Sequence, residues 1–148
     1  MFFHCLFLCL SFHNVTPYPI ERLGTCVAVA EEAEEQSVPA ELVIALAYVE
    51  SRFNPEAVSR SGARGPMQVL PKYACDDDVE CDYIITGVLM LRRWARRAFF
   101  KHGRHKVTDR DALAMYHGGN RPRSRSYRYA DRILRLRKQL KNEVRKWK

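Results

Sequence analysis

The stretch ESRFNPEAVSRSGARGPMQVLP, residues 50–71, marks a point where a helix must stop and irregular chain must follow. Its breakers are too many for a long helix, and its apolar and polar residues alternate too little for a hairpin. These breakers are Pro55, Gly62, Gly65, Pro66 and Pro71. Residues 54–71 are therefore predicted to form an ordered loop with at most a minor β element.

Two helices are predicted before this loop. Residues 20–36 carry Leu23, Val27 and Ala30 at helical spacing and then an acidic stretch. A second helix starts at Pro39, which the first helical turn tolerates, and ends before Pro55. Its core-facing stripe consists of Leu42, Ala45, Leu46 and Val49.

Three more helices are predicted after the loop. The first covers residues 83–100, where Gly87 indicates close packing of the backbone. The second is short, with a capping pair at Thr108 and Asp111 and an end at Gly118 and Gly119. The last has its apolar positions among arginines and lysines: Tyr129, Ile133, Leu136, Leu140, Val144 and Trp147. The sum is an all-α globule.

The N-terminal segment differs from the rest of the chain. Residues 2–12 (FFHCLFLCLSF) form an apolar run too short to span a bilayer, where about 20 residues are needed. The run resembles the apolar region of a signal peptide, although no Lys or Arg precedes it. We expect residues 1–18 to be a signal-like or anchor segment, with any cleavage between about residues 11 and 18, and residues 19–148 to be one folded domain. No transmembrane helix is expected.

Charge divides the chain sharply. Residues 1–91 carry 5 Lys and Arg against 13 Asp and Glu, whereas residues 92–148 carry 20 against 4. The basic half either faces a polyanion or is a solvated surface. It has no helix-turn-helix or zinc pattern, so specific nucleic-acid binding is not expected. An envelope or virion assembly partner that docks on the basic C-terminal helix stays open, and a monomer is expected.

The cysteines leave the redox compartment open. Cys75 and Cys81 bracket an acidic loop and can form a local disulfide in an oxidising compartment, but the odd total of five leaves at least one thiol unpaired. The acidic run at residues 76–80 suggests calcium, yet it lacks the glycine and the distal glutamate of an EF-hand loop. A solvated loop is the preferred interpretation, and no metal or cofactor requirement is predicted.

Glu50 has the properties of a catalytic acid. Cleavage of a glycosidic bond needs a carboxylic acid that is still protonated near neutral pH. Packing against Tyr48, Val49 and Phe53 would desolvate Glu50, and the negative end of the helix dipole would disfavour its charged form. The ordinary alternative is a solvated surface glutamate, which describes most glutamates in helices.

The motifs around Glu50 carry a family resemblance. ESRFNP at residues 50–55, then Ser59 and SGARGPMQVLP at residues 61–71, resemble the soluble lytic transglycosylase (SLT) family. This family is a lysozyme-like group related to goose-type lysozyme. ALAMYHGG at residues 112–119 resembles the family's Ala-Tyr-Asn-Ala-Gly segment, and YADRI at residues 129–133 resembles its final tyrosine motif. The resemblance spans about residues 20–136.

The resemblance implies roles for individual residues. Glu50 would act first as acid and then as base, and Tyr116 would hold its carboxyl by a hydrogen bond. The cleft for the sugar would be lined by Ser59, Met67, Gln68, Tyr116, His117 and Tyr129. The sequence departs from the family at Pro66, His117, Gly118 and Arg125, and His117 stands where the family has Asn. We expect His117 to be a polar substitute rather than a catalytic histidine.

The implied activity is that of a peptidoglycan lytic transglycosylase. It would cleave the bond between N-acetylmuramic acid and N-acetylglucosamine and leave 1,6-anhydro ends, and no second carboxylate stands at a motif position. Open alternatives are a goose-type hydrolase on the same scaffold and a muralytic component of a phage particle or secretion system. The cell envelope, the periplasm, secretion and the virion are the corresponding locations.

Overall fold

The computed structural model describes residues 1–75, 80–103 and 108–148, and seven α-helices form the fold there. They are α1 (Phe2–Val15), α2 (Leu23–Glu35), α3 (Ala40–Ser51), α4 (Pro71–Ala74), α5 (Tyr83–His102), α6 (Asp109–Gly118) and α7 (Ser124–Arg145), with one 3-10 turn at Ile20–Arg22. The described residues form no sheet; the loop between α3 and α4 has only isolated bridges, Val58 to Arg64 and Arg64 to Val69. The predicted all-α fold with at most a minor β element is confirmed.

Helix α3 lies at the centre of the fold. Its sequence is apolar on almost every side, and all its residues from Ala40 to Tyr48 except Glu41 are buried. A helix that is apolar all round must be covered on all sides, and α2 and α7 pack against it most extensively. The C-terminal end of α3, where Glu50 lies, is therefore held by the rest of the domain.

Helix α1 belongs to this core. It packs against α2 and α7, and its residues Cys5, Leu8, Cys9 and Phe12 are buried. A disulfide joins Cys9 to Cys26 on α2. The sequence predicts that residues 1–18 lie outside the domain, whereas α1 packs into its core. Any removal of this segment stays a prediction.

An aromatic cluster connects α1 to the end of α3. Phe12 and Phe53 are both fully buried, and their rings stand edge to face at 5.9 Å. Tyr18 packs on Phe53 at 4.7 Å, and Tyr48 packs on Phe12 at 5.3 Å. Edge-to-face pairs of this kind add to the free energy gained by burial. The N-terminal helix thereby supports the turn that follows Glu50.

Helices α5, α6 and α7 form the second half of the domain, and α6 packs against both of the others. The predicted cap is present, since the backbone N–H of Thr108 donates to Asp111 at 3.2 Å. Helix α6 ends at Gly118, and Gly119 follows with φ +75. The prediction for Trp147 was wrong: it lies beyond α7 and is 67% exposed, because the chain has left the helix before this residue can reach the core.

Two expectations concern the acidic loop. The structure contains the Cys75–Cys81 disulfide, while Cys5 is a buried free thiol. Of the acidic run at residues 76–80 that was considered for calcium, residues 76–79 lie outside the described residues. Within the described ranges, no helix is long and apolar enough to cross a membrane.

Candidate active site

Glu50 is the penultimate residue of α3, and an unusual turn follows it. Arg52 and Phe53 have φ angles of +52 and +62, the left-handed region that residues with side chains rarely adopt. Two such residues in succession reverse the chain while Phe53 enters the aromatic cluster. The loop then folds back over the end of the helix instead of running away from it.

Ser51 ties this loop to the helix end. Its hydroxyl donates to the carbonyl oxygen of Pro66 at 2.7 Å and accepts from the backbone N–H of Asn54 at 3.2 Å. The side chain of Asn54 in turn accepts from the N–H of Glu56 at 3.0 Å. Ser51 and Asn54 of the ESRFNP motif thus hold the backbone in place around Glu50.

The carboxyl of Glu50 is in a state suited to donating a proton. Burial raises its pKa from 4.5 to about 7, and a hydrogen bond from Tyr129 works in the opposite direction. Since burial is the larger effect, a substantial fraction of Glu50 is protonated at neutral pH. The desolvation expected from the sequence is therefore present.

Tyr129, rather than Tyr116, is the tyrosine bonded to this carboxyl. The hydroxyl of Tyr129 on α7 donates to Oε1 of Glu50. Tyr116 on α6 instead donates to the carbonyl oxygen of Met67 at 2.6 Å. The expected hydrogen bond from Tyr116 to Glu50 is therefore wrong. The packing of α7 on α3 brings Tyr129 to the carboxyl of Glu50, whereas Tyr116 donates to the loop backbone at Met67.

Burial and the neighbouring Glu50 charge raise the pKa of both tyrosines well above their ordinary value. Both phenols therefore stay protonated at neutral pH and act as hydrogen-bond donors, as their contacts require.

The side chain of Met67 lies beneath the cleft rather than in it. It is fully buried, and it occupies the space that a side chain at position 87 would fill: a Cβ added to Gly87 would stand 2.7 Å from the Cβ and Sδ of Met67. The predicted direct contact of Met67 with sugar is therefore wrong for its side chain. What Met67 offers is its carbonyl group, which positions Tyr116.

Ser59 and Gln68 shape the loop. The hydroxyl of Ser59 accepts from the N–H of Ala63 at 3.0 Å and lies 3.0 Å from the hydroxyl of Ser61. The amide of Gln68 donates to the carbonyl oxygens of Ala57 and Gly65 at 3.2 and 3.0 Å. Both side chains are partly exposed, so contact with substrate stays a prediction for them.

His117 and Gly118 depart from the family pattern together, and one contact links the two departures. Nδ1 of His117 lies 2.9 Å from Oγ of Ser126 on α7. A Cβ at position 118 would stand 2.3 Å from that same Oγ, so glycine leaves the space in which Ser126 approaches. The imidazole of His117 then stacks on Tyr129, with ring centroids 4.5 Å apart and planes at 31°.

The protonation of His117 follows from its surroundings. Burial and the charge of Arg125 lower its pKa from the ordinary 6.5. The imidazole is therefore mostly neutral at neutral pH, in keeping with a polar substitute for asparagine.

A cavity of about 250 Å³ opens beside this network. Its lining includes Gln68, Tyr116 and His117 from the predicted set. Glu50 is not among the lining residues; it is connected to the cavity through Tyr129 and the stacked ring of His117. Leu70, Tyr73, Trp94 and Gly119 are further lining residues that motif comparison did not single out.

Neither Ser126 nor Trp94 could be recognised from motifs. Ser126 is 1% exposed and bonded to His117, but a lone serine in a basic segment has no distinguishing spacing. Trp94 stands among arginines on α5, and a tryptophan in such a polar context was the one available signal. Its place at the cavity depends on where α5 packs.

The fold and this acid define an all-α domain with a partly buried glutamate at its candidate site. Residues 28–83, rather more than a third of the 148-residue chain, match the model of the transglycosylase SLT domain. Over these residues the resemblance to the SLT family is confirmed, and such a domain indicates an enzyme that cleaves glycan and acts on the bacterial cell wall. No curated protein and no solved structure matches the chain.

Proposed function

We propose that this protein is a peptidoglycan lytic transglycosylase that cleaves the bond between N-acetylmuramic acid and N-acetylglucosamine and leaves 1,6-anhydro ends. The observation that carries the proposal is the partly buried carboxyl of Glu50. Its pKa is raised to about 7, and its Oε1 accepts a hydrogen bond from the hydroxyl of Tyr129. A carboxyl in this state can give a proton at neutral pH and take one back. Its place in the cell is then the envelope, the periplasm or the exterior.

The reaction proceeds in two steps at one carboxyl. Glu50 gives its proton to the bridging oxygen as the bond from that oxygen to C1 of the muramic acid breaks, and the N-acetyl carbonyl oxygen of the same sugar bonds to C1. The 6-hydroxyl oxygen then displaces the carbonyl oxygen at C1, and the hydroxyl proton returns to Glu50. Atoms balance without water, so the enzyme is a lyase.

The surroundings of Glu50 favour this internal route over hydrolysis. In a two-carboxylate glycosidase, the second carboxylate is the nucleophile or activates the water. The side chain of Glu50 is hydrogen-bonded to Tyr129, and no second carboxylate stands at a motif position. A goose-type hydrolase on the same scaffold is the alternative outcome of the test below.

Mass spectrometry of purified peptidoglycan after digestion tests the proposal. Wild-type protein should release muropeptides lighter by one water than the hydrated products. Glu50→Gln should release none, and Glu56→Gln, an exposed glutamate in the nearby loop, should match wild type. Hydrated products alone would assign the hydrolase, and equal release by Glu50→Gln would refute the role of Glu50.

A further inference from the structure

A basic groove of about 970 Å³ lies next to the smaller cavity that Tyr116 and His117 line. Its lining residues are Met90, Arg93, Trp94, Arg96, Arg97, Phe100 and Lys101 from α5, with Asn120 and Arg121 from the segment after α6. Met90 and Trp94 also line the smaller cavity, so the two spaces are continuous along one wall. We call this groove the α5 groove.

The positive charge of the α5 groove is not compensated within the helix. The sequence of α5 contains no acidic residue, and Arg93, Arg97 and Lys101 follow one another at intervals of four. Like charges at this spacing destabilise a helix. Only Lys101 and His102 occupy the last turn, where cations are favourable, so the helix dipole does not account for the arginines.

The surroundings do not neutralise the groove either. No acidic residue lines it, and in the part of the chain that the structure describes its four arginines form no ion pair. All four arginines are exposed. Lys101 is held against the opposite wall, where its Nζ donates to the carbonyl oxygen of Asn120 at 2.6 Å. Arg93 contacts Sδ of Met90 and Arg96 lies over the ring of Phe100, but among the described residues no carboxylate pairs with any of the four guanidinium groups.

Carboxylates are the anions that these guanidinium groups, next to the candidate active site, are expected to bind. Arginine binds carboxylate in bidentate geometry. In peptidoglycan, short peptides with free carboxylates branch from the muramic acid residues, the sugars that the proposed reaction attacks. A strand that runs from Glu50 along the cavity lined by Tyr116 and His117 would carry its peptides toward the adjoining groove. Phe100, which is 71% exposed, and Trp94 offer apolar surface for the peptide's aliphatic parts.

We propose that the α5 groove binds the carboxylates of the peptide branches, so that the enzyme prefers peptide-bearing glycan to bare glycan. The proposal rests on the proposed function, and binding can be measured without cleavage. The protein for this measurement is full-length Glu50→Gln with Trp147→Phe, which leaves Trp94 as its one tryptophan. Its fluorescence is titrated with the disaccharide of peptidoglycan, with and without the peptide.

The peptide-bearing fragment should bind about tenfold more tightly than the bare fragment. Adding Arg93→Gln and Arg97→Gln should abolish this preference. As a control, Lys138→Gln with Arg145→Gln removes the same amount of charge from exposed positions on α7. This control should keep the preference for the peptide-bearing fragment. Equal binding of the two fragments, or equal loss in the control, would overturn the proposal. So would duplex DNA that binds the groove more tightly than the peptide-bearing fragment at about 0.15 M salt.

Digestion separates this proposal from the proposed function. The active protein should cleave peptide-bearing strands with a kcat/KM about tenfold above that on strands stripped by an amidase, and the Arg93 and Arg97 changes should remove that advantage. If wild type cleaves neither substrate, the proposed function fails, while the fluorescence titration still decides what the groove binds. Equal cleavage of both substrates by wild type contradicts the groove alone.

Discussion

Tyr129 on α7 donates a hydrogen bond to Glu50 at the end of α3, across 79 residues of sequence. The stacked imidazole of His117 covers the ring of Tyr129, and Ser126 holds that imidazole. The position of the acid therefore depends on the packing of α7, a helix that contributes no charged group to the reaction. Activity should respond to changes on α7 that leave α3 intact.

Tyr129→Phe should shift the pH dependence of activity. In the wild type, the hydrogen bond from Tyr129 lowers the pKa of Glu50. Removing this bond therefore raises that pKa further above 7. The acid form then persists to higher pH, and the decline of kcat/KM should move up by about one pH unit. The maximum should fall about tenfold because the carboxyl loses its orientation.

Tyr127→Phe is the matched control for this change. Tyr127 lies on the same helix, where Arg110 stacks on its ring at 4.6 Å, away from Glu50. This variant should keep the wild-type pH profile. An unmoved pH profile in Tyr129→Phe would show that the bond does not tune the acid.

Glu50→Gln should stabilise the protein in a pH-dependent way. Because burial raises the pKa of Glu50 from 4.5 to about 7, the folded state holds a proton that the unfolded chain releases between these values. Wild-type stability therefore decreases as pH rises from about 4.5 to above 7. At pH 8 the variant should be more stable by about 2 kcal/mol, a value reduced for solvent screening of the partly exposed carboxylate.

Urea unfolding at pH 4 and at pH 8 measures this effect. The two proteins should be nearly equal at pH 4, where Glu50 is protonated in both folded and unfolded states. Glu56→Gln should show no such difference between the two pH values. If the difference in unfolding free energy between wild type and Glu50→Gln is the same at both pH values, burial does not disfavour the charged form of Glu50.

Gly118→Ala should destabilise the protein through Ser126. The added Cβ would stand 2.3 Å from the Ser126 hydroxyl, which must leave its place beside His117. We expect a loss of about 1–2 kcal/mol in urea unfolding. In a Ser126→Ala background the loss should shrink by about 1 kcal/mol, because the nearest atom is gone. Strict additivity of the two changes would contradict the contact.

Reduction of the Cys9–Cys26 disulfide should cost about 3 kcal/mol, the value expected for a closed loop of this size. Unfolding by urea with and without dithiothreitol measures the loss. A Cys75→Ser, Cys81→Ser variant should keep most of the response to reductant, whereas Cys9→Ser with Cys26→Ser should lose most of it. If Cys9→Ser with Cys26→Ser is as stable as oxidised wild type, the packing of α1 on the core does not depend on this disulfide.

Much of the site could be predicted from local patterns. Glu50 stands in a dense motif, and its burial follows from its place at the edge of an apolar stripe. The partner of Glu50 could not be predicted, since Tyr116 and Tyr129 both stand in family-like motifs. The motif order does not reveal which phenol reaches the acid, because the rotation and position of α6 and α7 decide it.

Local sequence was sufficient for five of the seven described helices, for the loop after α3 and for the choice of Glu50 as the candidate acid, because periodicity, breakers and motifs act over a few residues. Packing alone set three further features: α1 in the core, Met67 beneath the cleft and Tyr129 at the carboxyl. The reason is that each depends on close contact between segments far apart in the chain. Such contacts require volumes and directions that no local pattern contains.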